Sequence, residues 1–304
     1  MKVYASGDSE VSLDTHNFVA SGGEGSVFAL GTTGYKVYHD PAKAIPLGKI
    51  QALDAIAADA VIKPLKPIYV DARKKGQVHV GHTFRFVRDT WTLCQLFPRA
   101  FREREGVTHD IALKLLRRMQ DGVRAVHRAG ALVVDLNEMN VLVSRGFNEP
   151  YFIDVDSYQV GPYKATAIMA SVRDPLVKGN AFTEASDWFA FAIVSFQLLV
   201  GIHPYKGTHP AIKGFEQRMA AGVSVLDPAV SIPKACYPLD VIPPVYRDWY
   251  RALFVNGERL PPPASLQAAV VLHQPARPIA STARLEIVEI HDYGSPIVGV
   301  FGSI

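Results

Sequence analysis

The chain is poor in cysteine, in net charge and in long apolar runs, and each shortage excludes a class of protein. Its two cysteines, Cys94 and Cys236, are too few for a disulfide framework and do not have the spacing of a metal site. The net charge of +3 gives no reason to expect an extended nucleic-acid surface, which needs a clustered basic stripe. The longest apolar stretch, residues 188–200, is shorter than the roughly 20 residues of a membrane span.

What remains is the composition of an ordinary folded protein. Of 304 residues, 48% are hydrophobic and 20% are charged, which is typical of globular chains long enough to bury a sizeable core. Residues 1–10 lack the apolar core of a signal peptide. We therefore predict a cytoplasmic protein that binds neither a membrane nor nucleic acid. The oligomeric state is open at this stage.

The first third of the chain has the pattern of β-structure. Residues 17–38 predict a β-hairpin around a glycine-rich turn, followed by another strand. An alanine-rich segment, residues 50–62, predicts a helix, and residues 68–70 and 78–87 predict two further strands. A hinge is expected near residues 84–89.

The pattern becomes helical after about residue 90. Apolar residues recur every three or four positions from Ile111 to Val126, with Thr108 as the N-cap and Gly130 as the end of the helix. Residues 141–153 predict a small hairpin. The remaining predictions are a buried helix at 187–200, a proline-rich helical segment to about 273, and β-type sequence at 283–301. The fold class is thus α+β, divided into residues 1–88, 89–275 and a tail of 276–304.

The first motif with chemical meaning is the glycine-rich turn of residues 20–27. It joins two strands, whereas Walker and dinucleotide loops open a helix. A glycine-rich hairpin can lie close over a triphosphate because no side chain blocks its backbone N–H groups. Lys36, on the next strand, can reach the α- and β-phosphates. The candidate cofactor-binding residues in this region are Gly22, Gly23, Gly25, Val27 and Lys36.

The strongest motif follows the amphipathic helix. Asp135 and Asn140 lie five residues apart on a loop that leads into an apolar strand. Asp135 can orient or deprotonate an acceptor hydroxyl, and Asn140 can ligate a metal. A second apolar strand then delivers Asp154, whose hard oxygen ligands suit Mg²⁺.

In this order, the motifs resemble those of the protein kinases over roughly residues 15–270. Asp187, at the start of the buried helix, and Arg259-Leu260-Pro261 agree with the same pattern. More narrowly, the segments SGGEGSVF and IDVDSYQV and the D-x-N-x-x-N loop look like a bacterial kinase-like family. Some of its members carry a C-terminal helix-hairpin-helix extension and occur in tellurite-resistance or stress-related gene clusters. We find no such extension in this sequence.

The resemblance implies a bilobal fold, with a small β-rich N-lobe and a larger helical C-lobe, that binds ATP and Mg²⁺. It places Asn140 and Asp154 on the metal and Asp135 at the acceptor hydroxyl, and it predicts that Asp187 holds backbone N–H groups of the catalytic loop. Asn137 stands where kinases have the lysine that contacts the γ-phosphate, and we retain it as a candidate catalytic residue.

The sequence also departs from the kinase pattern at several acidic positions. Residues 42–62 contain no glutamate to pair with Lys36, so Asp54 is the predicted partner. Asp156 replaces the glycine of the Asp-Phe-Gly motif, and it either adds a carboxylate near the metal or caps the following turn. Asp174-Pro175-Leu176 lacks the glutamate that would pair with Arg259.

The main hypothesis is an ATP–Mg²⁺-dependent phosphotransferase that acts on serine or threonine of a protein substrate, including its own chain. Two alternatives stay open. One is a nucleotide-binding pseudokinase that serves as an interaction or regulatory module, as the missing glutamate and the altered loop lysine suggest. The other is a small-molecule kinase, although a full activation-like segment at 157–183 disfavours it.

Overall fold

The computed structural model describes residues 1–5, 10–72 and 76–266. The predicted β-type sequence at 283–301, and the whole tail of 276–304, lie outside these residues. The described part is of mixed α+β class, with a large antiparallel sheet followed by helices. Its strands are β1 (Lys2–Ala5), β2 (Glu10–Ser12), β3 (Phe18–Ser21), β4 (Gly25–Leu30), β5 (Thr33–Tyr38), β6 (Pro64–Ala72), β7 (Gly76–Arg85), β8 (Thr90–Thr92), β9 (Ala131–Leu132), β10 (Val141–Ser144), β11 (Pro150–Phe152) and β12 (Gln159–Val160). Its α-helices are α1 (Leu47–Leu53), α2 (Arg99–Glu105), α3 (His109–Arg128), α4 (Glu184–Val200), α5 (Phe215–Ala220) and α6 (Pro244–Phe254).

Seven strands form one antiparallel sheet in the order β2-β1-β6-β7-β5-β4-β3. The predicted glycine-rich hairpin is confirmed as β3–β4, and the strand predicted at 68–70 is part of β6. The strand predicted at 78–87 is confirmed as β7, which ends two residues earlier than predicted, at Arg85. Strand β5 has two different faces because side chains alternate along a strand. Tyr35 and Val37 pack into a small apolar cluster on one face, so Lys36 points to the other face.

The helix predicted at 50–62 is shorter than expected. Helix α1 ends at Leu53, and the chain then turns towards β11, where the Phe152 N–H donates to the Ala60 carbonyl at 2.7 Å. The Ile62 N–H donates back to the Phe152 carbonyl at 2.9 Å. Pairing with a distant strand therefore overrides the helical propensity of the alanines in this segment.

Two helices form the centre of the large core. The predicted amphipathic helix is confirmed as α3, whose first turn is capped by the Thr108 hydroxyl accepting from the Ile111 N–H at 3.3 Å. The predicted buried helix is confirmed as α4, in which every residue from Ser186 to Val200 is buried. Aromatic residues of α6 pack on α4, with the ring centroids of Phe196 and Tyr250 5.3 Å apart. This core supports the loops that carry the candidate site.

The smaller sheets position those loops. The predicted hairpin at 141–153 is confirmed as β10–β11, and β8 pairs with the other edge of β10. Strand β9 pairs with β12, which ties the chain just before Asp135 to the chain just after Asp154. None of the helices within residues 1–5, 10–72 and 76–266 combines the length and the apolar character that a membrane crossing demands.

Candidate functional site

A cavity of about 670 Å³ opens between the β3–β4 hairpin, strand β5 and the β10–β11 hairpin. Its volume is within the usual range for small-molecule sites. The predicted site residues on its wall are Gly22, Gly23, Gly25, Val27, Lys36, Asn140 and Asp154. Among the described residues, the predicted Asp135, Asn137 and Asp54 do not line it.

One end of the cavity is apolar. Ile62, Phe84, Leu142 and Ile153 contribute side chains there. The Phe84 ring can pack closely against strand β5 because its partner across the strands is Gly34, where a Cβ atom would stand only 2.3 Å from the ring. We call these four residues the apolar slot, and apolar lining of this kind suits a ring system such as a nucleobase.

The glycine-rich turn forms a cover over the polar end. Gly25 packs so tightly against β5 that a Cβ atom would lie 2.4 Å from the Val37 carbonyl oxygen. Gly22 and Gly23 have no atom within 4 Å of such a Cβ position, so their lack of side chains keeps the backbone open towards the cavity. The Gly22 N–H donates to the Gly25 carbonyl at 2.9 Å and closes the turn.

Lys36 is the cation of the site. Its Nζ donates to Asp154 Oδ1 at 2.6 Å and to Asp156 Oδ2 at 2.7 Å, and Glu24 Oε2 lies 3.7 Å away. Burial alone would lower the pKa of Lys36, but the two aspartates outweigh burial and raise the pKa above its ordinary value. Lys36 is therefore charged at all physiological pH values.

The predicted pairing of Lys36 with Asp54 is corrected by the structure. Asp54 is the C-cap of α1, its side chain is 79% exposed, and its Oδ1 accepts from Lys63 Nζ at 3.0 Å. Helix α1 ends early and turns Asp54 towards solvent, so this carboxylate cannot reach the cavity. The acidic partners of Lys36 come instead from the segment after β11.

Asp154 is held in an unusual backbone conformation. Its φ of 60° and ψ of 32° lie in the left-handed region, which costs energy for any residue with a side chain. This conformation starts the single turn of residues 155–157, and the Ser157 hydroxyl donates to the Asp154 carbonyl at 2.7 Å. Burial and then the nearby Asp156 carboxylate raise the pKa of Asp154.

The carboxylates of the site have the chemistry of a cation-binding group. Oxygen atoms of Glu24, Asp154 and Asp156 lie within 4.8 Å of one another. Oxygen ligands of this kind fit a hard divalent cation such as Mg²⁺. Asn140 is also on the cavity wall, and the Ile153 N–H donates to its carbonyl at 3.0 Å, which fixes its position relative to Asp154.

Asp156 is the residue whose role the sequence left open, and it is not a cap. Its carboxylate accepts from Lys36 and, through a short hydrogen bond, from the Tyr38 hydroxyl. Burial would raise the pKa of Asp156, but His82, Lys36 and Tyr38 outweigh it and lower the pKa to about 2. Because burial lowers the pKa of His82 to about 4, Lys36 is the neighbour that supplies positive charge at neutral pH.

The loop with Asp135 lies beside the cavity. Asn140 Nδ2 donates to the Asp135 carbonyl at 3.1 Å and to Asp135 Oδ2 at 3.3 Å, so the two predicted residues are in direct contact. Asn137 has a different role from the predicted one. It is buried, and its Oδ1 accepts from the N–H groups of Met139 at 2.8 Å and Asn140 at 3.2 Å, which stabilises the loop itself.

Asp187 holds backbone N–H groups at the start of this loop, as predicted. Its fully buried carboxylate accepts from the N–H groups of Val133 at 2.7 Å and Val134 at 2.8 Å, and from His127 Nε2 at 2.9 Å. Val134 has a φ of 62°, which is strongly disfavoured for a β-branched residue. The hydrogen bonds to Asp187 offset this strain and fix the backbone directly before Asp135.

The segment of residues 164–170, which we call the strap, passes across the site. Ala167 contributes to the cavity wall, and the Met169 N–H donates to Asp135 Oδ1 at 2.8 Å. The Thr166 N–H also donates to the Ser157 carbonyl at 3.3 Å. In this conformation, one oxygen of the Asp135 carboxylate is therefore occupied by the protein's own backbone.

No family model matches the chain, and no curated protein matches it. The site is consequently defined by its own geometry. A glycine-rich cover, a buried lysine, a cluster of carboxylates and an apolar slot share one cavity, and an Asp–Asn pair lies at its edge.

Proposed function

We propose that the chain has the bilobal protein-kinase-like fold, divided near residue 88, and that it is an ATP–Mg²⁺-dependent phosphotransferase acting on serine or threonine. One observation carries the proposal: Lys36, Asn140 and Asp154 line a single cavity under the glycine-rich turn. These residues come from three separated parts of the sequence, and their convergence is what binding of a triphosphate requires.

In this proposal, each part of the cavity has one task. The apolar slot holds the base, the backbone of Gly22 and Gly23 covers the phosphates, and Lys36 contacts them. Asp154 and Asn140 would hold Mg²⁺, which supplies neutralisation of phosphate charge when bound. Because phosphoryl transfer needs little covalent help from the protein, positioning and charge account for most of the rate.

Asp135 would act on the acceptor. Its carboxylate lies at the cavity edge and is fixed by Asn140. An acceptor hydroxyl that donates to Asp135 would be oriented towards the phosphates and would lose its proton to that carboxylate as transfer proceeds. An acceptor hydroxyl would compete for the carboxylate with the Met169 N–H, which donates to Asp135 Oδ1.

The direct test is transfer of the γ-phosphate from labelled ATP to the chain itself and to a mixture of protein substrates. Wild type should label substrate in the presence of Mg²⁺, and Asp135→Asn and Asp154→Asn should lower the rate at least about a hundredfold, as expected for loss of a general base or a metal ligand. Asp54→Asn is the matched control, because Asp54 is exposed and outside the cavity. Equal labelling by all four proteins, or by none, would contradict the proposal.

A second candidate, a nucleotide-binding pseudokinase, is favoured by two contacts. The Met169 N–H occupies Asp135, and Asn137 turns inward to the loop where kinases have a phosphate-binding lysine. This candidate predicts that ATP raises the unfolding temperature, because a ligand of the native state stabilises it, while no labelled phosphate is transferred.

A further inference from the structure

We propose that Asp156 is the residue that positions Lys36 for the nucleotide, and that helix α1 supports Asp156 with a lysine, Lys49, instead of supplying an acid of its own. This inference rests on the proposed function of the cavity. It assigns to Asp156 a positioning role, distinct from contact with the nucleotide or the metal.

Lys36 has three carboxylates near it, and they are not equivalent. Asp154 Oδ1 and Asp156 Oδ2 are both in direct contact with Nζ, at 2.6 and 2.7 Å, whereas Glu24 Oε2 is 3.7 Å away. The Asp156 side chain is only 5% exposed, against 34% for Asp154 and 41% for Glu24. An ion pair excluded from water is stronger, so Asp156 holds the ammonium group most firmly.

The two aspartates also differ in what else they must do. In the proposed function Asp154 is a metal ligand, so a bound cation competes with Lys36 for its carboxylate. Asp156 is then the carboxylate that keeps Lys36 in place when metal and nucleotide are present. Its Oδ2 already accepts from both Lys36 and the Tyr38 hydroxyl, which are two residues apart on strand β5.

Helix α1 reaches the same point with a cation. Lys49 is 2% exposed, and its Nζ donates to the main-chain carbonyl of Asp156 at 2.6 Å. A buried ammonium group is costly unless it is hydrogen-bonded, so this contact ties α1 to the segment after β11. The helix sequence itself, LGKIQAL, contains no acidic residue.

The turn after β11 therefore fixes both the position of Lys36 and the position of the proposed metal ligand, Asp154. Asp154 and Asp156 are separated by a single residue within a tight turn, and Lys36 binds both. The position of Lys36 therefore depends on this turn and on β5, and not on an acidic residue of α1.

The rival role for Asp156 is that of a third metal ligand, as its place in the carboxylate group allows. The two roles differ in their dependence on metal. A positioning residue acts through Lys36 on the phosphates, so its loss weakens nucleotide binding with or without Mg²⁺. A metal ligand acts only on the Mg²⁺-bound complex.

The experiment measures ATP affinity by calorimetry, with Mg²⁺ and with EDTA, for wild type, Asp156→Asn, Lys36→Met and the double variant Lys36→Met/Asp156→Asn. Asp54→Asn is the matched control on the end of α1. We expect Asp156→Asn to weaken ATP binding about tenfold in both buffers, as loss of a charged hydrogen-bond partner does. In the Lys36→Met background, Asp156→Asn should have no further effect.

Each outcome decides a different statement. If wild type does not bind ATP, the proposed function of the cavity fails. If wild type binds ATP and Asp156→Asn binds as tightly as Asp54→Asn, the role of Asp156 fails alone. Two further results would overturn it: a loss of ATP affinity only with Mg²⁺, or losses of affinity from Lys36→Met and Asp156→Asn that add in the double variant.

If Asp156→Asn does not fold, Lys49→Met provides a milder variant. It should weaken ATP binding about threefold in both buffers, since it removes one hydrogen bond that supports Asp156. Unchanged affinity of Lys49→Met would overturn the role of α1.

Discussion

The guanidinium group of Arg259 donates two hydrogen bonds of 2.6 Å to the carboxylate of Asp174, across 85 residues of sequence. Asp174 is 4% exposed, and the Arg259 side chain also lies over the Phe189 ring, 4.3 Å from its centroid. The sequence has no glutamate at position 176, where the motif would place the partner of Arg259. The acidic partner is instead Asp174, two positions earlier. The pair joins the segment after the strap to the chain that follows α6.

Removing one member of this pair should destabilise the protein strongly. Asp174→Asn leaves a partly buried guanidinium group without its charge partner, so we expect the free energy of unfolding to fall by about 3 kcal/mol. Arg259→Lys keeps the charge but loses the two-pronged geometry, and it should cost about half as much. Urea denaturation would measure both values.

An exposed ion pair supplies the control. Arg118 and Glu149 also form a salt bridge, but their side chains are 47% and 48% exposed. Glu149→Gln should therefore change the free energy of unfolding by less than about 1 kcal/mol. If Asp174→Asn is as mild as Glu149→Gln, the Arg259–Asp174 pair does not stabilise the fold as its geometry indicates.

Local sequence patterns sufficed wherever a structural feature was itself local. Helix α3 was predictable from its N-cap at Thr108 and its apolar spacing, and the β10–β11 hairpin was predictable from its apolar segments at 141–153. The ends of α1 and the role of Asp156 were not predictable, because each depends on a contact between distant parts of the chain. Asp156 meets Lys36 across 120 residues, and no periodicity in the sequence encodes that contact.

Asp187, which holds the loop that carries Asp135, gives a second stability prediction. Asp187→Ala would leave the N–H groups of Val133 and Val134 and the ring of His127 without their acceptor in a buried place. We expect a loss of about 3 kcal/mol or more and a fall in unfolding temperature of roughly 5–10 °C. Differential scanning calorimetry measures the temperature.

The matched control for Asp187→Ala is a substitution of a second acidic residue near His127. Glu184 Oε2 lies 3.7 Å from His127 Nδ1, but its side chain is 62% exposed. Glu184→Gln should leave the unfolding temperature almost unchanged, since exposed pairs contribute little. A fall as large as that of Asp187→Ala would show that the charge near His127, and not the loop hydrogen bonds, stabilises this region.

His203 should make stability depend on pH. Burial lowers the pKa of His203 to about 4, and its ring is held neutral by the Tyr205 N–H, which donates to Nδ1 at 3.2 Å. The unfolded chain binds this proton near pH 6.5 and the folded chain only near pH 4, so stability is lost as pH falls through this window. Between pH 7 and pH 5 we expect His203 to account for a loss of about 2 kcal/mol.

The test compares urea denaturation at pH 7 and pH 5 for wild type and His203→Gln. Glutamine can replace the ring in hydrogen bonding but does not titrate, so the variant should show a smaller difference between the two pH values. The contribution of the buried His82, whose pKa burial also lowers to about 4, is present in both proteins and cancels in the comparison. An equal pH dependence in the two proteins would rule out His203 as the source.

If the cavity is a phosphotransferase site, as proposed, the strap restrains Asp135 before an acceptor binds. Its contact with Asp135 is made by the backbone N–H of Met169, which proline lacks. Met169→Pro should therefore free Asp135 Oδ1 and raise the rate of phosphate transfer to an added protein substrate, by about fivefold if the lost hydrogen bond contributes roughly 1 kcal/mol. Met169→Ala keeps the N–H, and because Met169 is an exposed residue, at 38%, the variant should transfer phosphate at the wild-type rate. Equal rates in Met169→Pro and Met169→Ala would mean that the strap does not limit access to Asp135.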